Sequence, residues 1–466
     1  MPIHASACLQ ATMVRERAIS PVELVEAHLR QIDAVNPAIN AFVEICRDEA
    51  LAAARIAESA VTRGEIPGLL HGIPVTVKDS FDMEGRGTLT GSPLRKGHKA
   101  AQDAAVVRRL REAGAIVLGR TNTPELLSTY ETDNSITGRT NNPWDLERTP
   151  GGSSGGEAAA IAAFCSAGGV GSDGGGSIRV PAHFCGIAGL KPTPGRISSV
   201  GHFPVISNPS GFVSVAGPMA RTAEDLRLFF AALAGYDPED AWSAPVPVRP
   251  PAIDAIRVGV WPRFGEVKVT PEVADAVDRA AKLLGDIGVP TDAFEPRGLE
   301  RAPNLWWFLF GQMPSIFLRQ VYQGREEEMH WTARELLGQG EGAPAPTAQE
   351  IMLSFAGRDR MRARLLRDME KFPVLLAPVC GVAAFPHRAR RYPVGDTSIG
   401  LFQAMMQATV ANLLGLPAVT IPIFVTNEGL PVGVQLIGRP WEEENLLEIA
   451  ARLEAARGPF PGPAIF

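Results

Sequence analysis

Apolar residues first recur at helical spacing at Leu24, Val25, Leu29 and Ile32, the three- and four-residue steps that line one face of an α-helix. Ser20-Pro21-Val22-Glu23 marks its start, with a serine and a glutamate placed to cap each other and proline at the first helical position. Pro37 is expected to end it, because proline interrupts a helical ladder. A second amphipathic run, rich in alanine, spans about Asp48 to Ala60. After the turn-rich stretch from Gly64 to Gly72 the pattern changes to the short apolar run Ile73-Pro74-Val75-Thr76-Val77, which reads as a buried strand. Another pair follows: a helix around Asp103 to Ala113, Gly114 as its stop, and an apolar strand from Ala115 to Leu118. Helices alternating with short buried strands predict α/β layers.

The centre reads differently. Glycine, serine and proline dominate from Pro150 to Gly217, which on composition alone describes a flexible linker. Apolar blocks at Ala158 to Phe164, Ile178 to Val180 and Phe184 to Leu190 interrupt it, and a solvated linker has no use for them. The segment is therefore expected to be folded. A proline-rich crossing at residues 241 to 256 marks a candidate sub-domain edge, with Arg257 to Trp261 as a fresh strand beyond it. From about Pro303 to Pro393 the pattern is helical and aromatic. Trp306, Trp307, Phe308 and Phe310 put four aromatics in five positions, too many for the core-facing side of one helix. Beyond core packing, part of this cluster is expected to face a substrate pocket or a subunit interface, the latter implying a homodimer.

Composition narrows the function classes. The chain has 466 residues, 45% hydrophobic and 21% charged, the profile of a folded soluble protein. Its formal charge of −6 and the lack of a long Lys/Arg run argue against nucleic-acid binding. No apolar stretch reaches the ~18 residues needed to span a bilayer, so no membrane role is expected. The five cysteines (Cys8, Cys46, Cys165, Cys185 and Cys380) are widely spaced without a CxxC pair. Neither a zinc site nor a disulfide framework is suggested, and a reducing cytoplasm fits.

The chemistry concentrates in Gly151-Gly152-Ser153-Ser154-Gly155-Gly156 and Asp173-Gly174-Gly175-Gly176-Ser177. Glycines before a serine let several backbone N–H groups converge on one point, which is how an oxyanion hole is built. A serine hydroxyl needs a base to act as a nucleophile. None of the eight histidines sits in a recognisable nucleophile motif. No G-x-S-x-G elbow has a plausible histidine partner downstream. Lys78 ends the buried strand, where burial lowers a lysine pKa and makes a neutral amine base possible. Asp79 and Asp173 read as structural carboxylates rather than bases, and Cys185, between apolar neighbours, as an inert thiol.

On these residues the sequence resembles the amidase-signature family. Gly72 to Asp79 is similar to that family's lysine segment, and Gly151 through Arg179 to its serine-and-glycine signature. Phe184 to Thr193, Gly415-Leu416-Pro417-Ala418 and Gly429 to Gly438 resemble its later segments. The likeness spans roughly residues 20–240 and 370–455. It implies an α/β fold with a mixed central β-sheet covered on both faces by helices, over one catalytic domain of residues 1–466. The variable helical region of about 260–370 is expected to form the pocket side.

The resemblance also assigns roles. Ser177 is the nucleophile, Ser153 a bridging serine held by a cis peptide after Gly152, and Lys78 the base. The N–H groups of Gly174, Gly175, Gly176 and Ser177 hold the oxyanion, and Asp173 and Arg179 are expected to pair. No metal or organic cofactor is implied. The reaction is cleavage of a C–N acyl bond in a small apolar amide, anilide or carbamate (urethane), with esters also possible substrates, through an acyl-enzyme. One departure is Gly174, where the family usually carries a larger residue. Leu127, Thr129 and Tyr130 are candidates for substrate contact, with helix packing as the equal alternative. The competing reading is the catalytic subunit of a tRNA-dependent amidotransferase. Against it, Val180 stands where such subunits carry glutamine, and Val200 to Pro204 looks more like stand-alone amidases.

Overall fold

Ser20 Oγ accepts the Glu23 N–H at 3.1 Å while the Glu23 carboxylate accepts the Ser20 N–H at 2.9 Å, and this reciprocal cap opens the helix Pro21–Ile39. Pro37 does not end it. The helix runs two residues further, and Asn40, in the left-handed region at φ 49°, closes it with its N–H on Asn36 O at 2.8 Å. Proline this close to a terminus removes one ladder bond and leaves its neighbours' bonds intact. A further helix, Ala7–Arg15, precedes it, capped by Ser6. The computed structural model describes all residues except 1, 66–67, 207–210, 254–255, 339–341, 343 and 465–466.

Thirteen strands are present among the described residues: β1 Phe42–Ile45, β2 Pro74–Lys78, β3 Ile116–Thr121, β4 Gly168–Asp173, β5 Ala188–Lys191, β6 Val215–Ala220, β7 Val258–Val260, β8 Thr291–Ala293, β9 Val374–Pro378, β10 Arg391–Val394, β11 Thr397–Gly400, β12 Ala418–Val425 and β13 Pro431–Gly438. Eleven form one mixed sheet in the order β1-β3-β2-β4-β6-β5-β12-β13-β9-β7-β8, and β10 and β11 make a separate hairpin. β2 runs parallel to both β3 and β4, and β7 parallel to both β8 and β9, while the other pairs in the large sheet are antiparallel.

The period-2 alternation of strands divides the core between the two faces of this sheet. On β9, Val374 and Leu376 pack into one cluster with the helices Ala223–Leu233, Pro271–Asp286 and Glu443–Arg457. Leu375 and Ala377 pack into another with the helix Leu401–Leu413 and the Trp306 region. The described residues of the glycine-rich centre are folded rather than a linker: a helix at Gly155–Ala162, strand β4, a helix at Arg179–Cys185, then β5 and β6. Strand β7, beyond the proline-rich crossing, joins the same sheet beside β9.

The helical reading of residues 303 to 393 holds only to Asp368. Helices Ala302–Trp306, Met313–Tyr322, Trp331–Gly338 and Ala348–Asp368 are followed by β9 and the β10–β11 hairpin. A short apolar run such as Val374-Leu375-Leu376-Ala377 has no period that separates strand from helix, so sheet pairing decided it. No helix among the described residues is long and apolar enough to cross a membrane.

Candidate active site

β2 and β4 lie side by side and parallel, with Val77 opposite Val170, so their carboxyl ends bring Lys78, Ser172 and Asp173 to one edge of the sheet. The Lys78 side chain is entirely shielded from solvent. Its Nζ donates to Ser153 Oγ at 2.7 Å and to Ser172 Oγ at 2.9 Å. Burial pushes its pKa down to about 7, against the opposing pull of the Asp173 and Glu157 carboxylates. The ammonium form is therefore in balance with the neutral amine near neutral pH. Glu157, itself fully buried, is pushed up to about 7 by burial, against hydrogen bonds from Thr76 and Thr121 and the charge of Lys78.

Ser153 follows a cis peptide bond after Gly152 and is separated only by Ser154 from the wholly buried helix Gly155–Ala162. The Ser154 N–H donates to Ser177 O at 3.2 Å, tying the two serine segments together. Ser177 is half-buried and lines the same cavity as Ser153. Among the described residues no hydrogen bond joins Ser177 Oγ to Ser153 Oγ. The structure thus brings Lys78 and Ser153 into direct contact and sets Ser177 beside them at the cavity wall.

The loop from Asp173 to Ser177 is held peptide by peptide. Trp306 Nε1–H donates to Gly174 O at 2.8 Å, and the Tyr130 hydroxyl donates to Gly175 O at 2.8 Å. Val180 N–H donates to Gly176 O at 2.7 Å. Gly176, at φ +115° where a side chain is rarely tolerated, turns its own N–H back onto Asp173 Oδ1 at 2.7 Å. This corrects the expected oxyanion set: the Gly176 donor is already spent. Gly174, Gly175 and Ser177 find no backbone acceptor for their N–H groups among the described residues. A trans peptide points its C=O and N–H in opposite directions. With the carbonyls of Gly174 and Gly176 held, the N–H groups of Gly175 and Ser177 are turned the other way.

Asp173 anchors the loop from below. It accepts from Gly176 and Ile178 N–H, pairs with Arg179, and is bonded by Asn412 Nδ2 at 2.9 Å. Burial works to raise its carboxyl, but the Arg179 guanidinium and these bonds hold it well below the usual carboxylate range. Asn412 and Gln435, which also holds Arg179, were not singled out by the sequence reading. The signal that marks them is a lone polar residue inside an apolar run, Ala411-Asn412-Leu413 and Val434-Gln435-Leu436, since buried polar groups are there to make bonds. Ser172 carried no such signal.

A cavity of about 520 Å³ opens onto Ser153, Ser172 and Ser177. Its aromatic walls include Trp306, Trp307, Phe310, Phe317 and Phe402, and Phe308 is not among its lining residues. A π-helical turn at Trp307–Gln312 joins the helices on either side, and such turns often occur at functional sites. Leu127, Thr129 and Tyr130 all line the cavity, although Tyr130's hydroxyl is committed to the loop. His202 lines it too, kept neutral by burial that lowers its pKa to about 3. Asp79 is buried against Arg120 and accepts the Thr90 N–H at 3.0 Å, and Cys185 is sealed in the core. Neither lines the cavity.

The amidase family model matches residues 23–447. A glutamyl-tRNA(Gln) amidotransferase subunit of Acidothermus cellulolyticus is 35% identical over 485 residues, covering 97% of this chain and 94% of that protein. An indoleacetamide hydrolase of Bradyrhizobium diazoefficiens is 36% identical over 460 residues, covering 97% and 86%. The solved structure of 6-aminohexanoate cyclic dimer hydrolase with its substrate superposes with a TM-score of 0.86 at 29% identity, covering 99% of each chain. Likeness of sequence and fold over nearly the whole chain, around a serine-lined cavity backed by a buried lysine, has one reading: this protein belongs to the amidase-signature family of hydrolases.

Proposed function

We propose that the protein hydrolyses C–N acyl bonds of small apolar amides, anilides or carbamates, working as a single catalytic domain with Ser177 as nucleophile. The observation that carries this reading is the buried Lys78 Nζ at 2.7 Å from Ser153 Oγ, at the polar end of an aromatic-walled cavity that Ser177 also lines. The neutral Lys78 amine takes a proton from Ser153 as Ser153 takes one from Ser177, and Ser177 Oγ bonds to the acyl carbon. The Ser177–Ser153 bond closes when the acyl group enters, as catalytic hydrogen bonds often do. Negative charge on the former carbonyl oxygen is met by the N–H groups of Gly175 and Ser177. The C–N bond then breaks, with the proton returning from Lys78 through Ser153 to the departing amine. Water attacks the resulting ester by the same relay, releasing the acid and restoring Ser177.

The test is turnover by the purified chain alone on a panel of chromogenic anilides, aryl carbamates and esters. Release of amine that disappears in Ser177→Ala supports the proposal. A second reading is favoured by the strong likeness to the amidotransferase protein of Acidothermus cellulolyticus: amide hydrolysis serving a partner-bound transfer of ammonia. Val180, fully buried at the start of the helix after Ser177, presents no polar group to a glutamine substrate and argues for the first reading. Glutaminase activity that appears only when partner proteins are added would reverse that choice.

A further inference from the structure

We infer that Trp306 and Phe310 are positioning residues for the nucleophile loop, so that the wall of the substrate cavity and the oxyanion site form one mechanical unit. The inference rests on the reading of Ser177 as nucleophile and concerns what holds its loop in shape.

Two observations carry it. The first is the bond from Trp306 Nε1–H to Gly174 O at 2.8 Å, made by a side chain only 5% exposed. That carbonyl belongs to the same peptide plane as the Gly175 N–H. Fixing one end fixes the other, and the indole thereby aims the Gly175 donor at the space where the acyl oxygen would sit. The second is steric. A Cβ on Gly174 would lie 2.3 Å from the edge of the Phe310 ring, its tightest contact, and 2.8 Å from Ser214 Oγ, a hydroxyl that a rotamer change moves aside, and a Cβ on Gly175 would lie 2.3 Å from the Trp306 ring. Both rings press on bare backbone, with their centroids 5.3 Å apart. The third glycine before Ser177 therefore makes room for an aromatic ring. A loop of three glycines is intrinsically permissive, and here the rings and the indole bond supply the restraint that its own side chains do not.

Trp306 thus differs from its neighbour Trp307. Both line the cavity, but only Trp306 is bonded to the loop. Loss of the indole N–H should damage the reaction for every acyl group, since the oxyanion forms on all of them, whereas loss of wall area matters only for groups that reach the wall.

The experiment measures the rate of covalent labelling by a fluorophosphonate, and kcat and KM on one acetanilide-sized and one bulky anilide, in three backgrounds. Trp306→Phe keeps a ring and deletes the donor. A labelling rate and kcat lowered by roughly 10-fold or more, with KM within about 3-fold for both substrates, is expected, since loss of a full oxyanion donor costs about 10²–10³. Gly174→Ala should fall by a similar factor, and adding Phe310→Ala should restore labelling to within about 3-fold of wild type. Wild-type labelling in Trp306→Phe, or a Gly174→Ala defect that Phe310→Ala does not relieve, overturns the inference while leaving Ser177 in its role. A wild-type protein that the probe does not label at all overturns both.

Discussion

Arg179 grips Asp173 through two parallel hydrogen bonds, Nε to Oδ2 and Nη2 to Oδ1, each 3.0 Å long, with both side chains fully shielded from solvent. The remaining guanidinium contacts go to Gln435 and Asn412, so the ion pair is saturated on all sides. Such a pair adds little net stability, because desolvation offsets most of the attraction. Its effect is geometric: Asp173 in turn holds the N–H groups of Gly176 and Ile178, on either side of Ser177.

Arg179→Met leaves that carboxylate buried without its counter-charge. Breaking a buried pair from one side costs about 3–5 kcal/mol, so the urea midpoint should fall by a corresponding amount with an unchanged slope. A loss under about 1 kcal/mol, within the range of an exposed ion pair, would mean that water reaches Asp173.

Activity should rise with pH through about 7, where burial has brought Lys78, because the proposed relay uses the neutral amine as its base. The rising limb of kcat/KM reports the free protein. A profile already flat below pH 6 would remove Lys78 from that role.

The same burial has a signature in stability. Lys78 is depressed from 10.5 to about 7 in the folded chain, so between those values the unfolded state binds the extra proton and stability rises with pH by up to ~1.4 kcal/mol per unit. Lys78→Met removes the dependence. The variant should be more stable than wild type, by most below pH 7, with the gap closing toward pH 10.5. Parallel curves for the two proteins across that range would contradict this account.

Trp307 packs over Gly311 and lies edge-on to Phe402 with centroids 5.9 Å apart. Trp307→Ala should weaken kcat/KM for aryl substrates by roughly 10-fold or more, as loss of about 1.5–3 kcal/mol of aromatic contact implies, and leave acetamide-sized substrates within about 3-fold. Equal losses for both sizes would identify Trp307 as packing rather than wall.

What the sequence disclosed follows from which signals are local. The Ser20 cap, the β2 run ending in Lys78 and the glycine–serine segments each carry their own pattern, and all three are found where that pattern put them. What stayed hidden is non-local. No spacing rule tells that Trp306 would meet Gly174 across 132 residues, or that Asn412 and Gln435 would meet at Arg179. The aromatic density at 306–310 did announce that one helix face was not enough, and the structure divides the cluster accordingly, with Trp306, Trp307 and Phe310 at the cavity and Phe308 away from it. The failures at Pro37 and Val374 are of another sort: each is a weak local signal that neighbouring hydrogen bonds or strand pairing overrode.

The strand order carries a consequence for how the chain matures. Among the described residues β12 and β13, the strands latest in the sequence, sit between β5 and β9 and link the two halves of the sheet. Lys78, Ser153 and Ser177 all leave the ribosome before them, as do both rings that press on the glycine loop. Gln435 arrives on β13 and Asn412 on the helix Leu401–Leu413 just before β12, so the Asp173–Arg179 clamp gains both of these partners only from the last part of the sheet-forming chain. Pairings separated by so much chain form late. The chain order thus leaves the joining of the two halves, and the Gln435 bond to Arg179, to the strands made after every residue of the proposed relay.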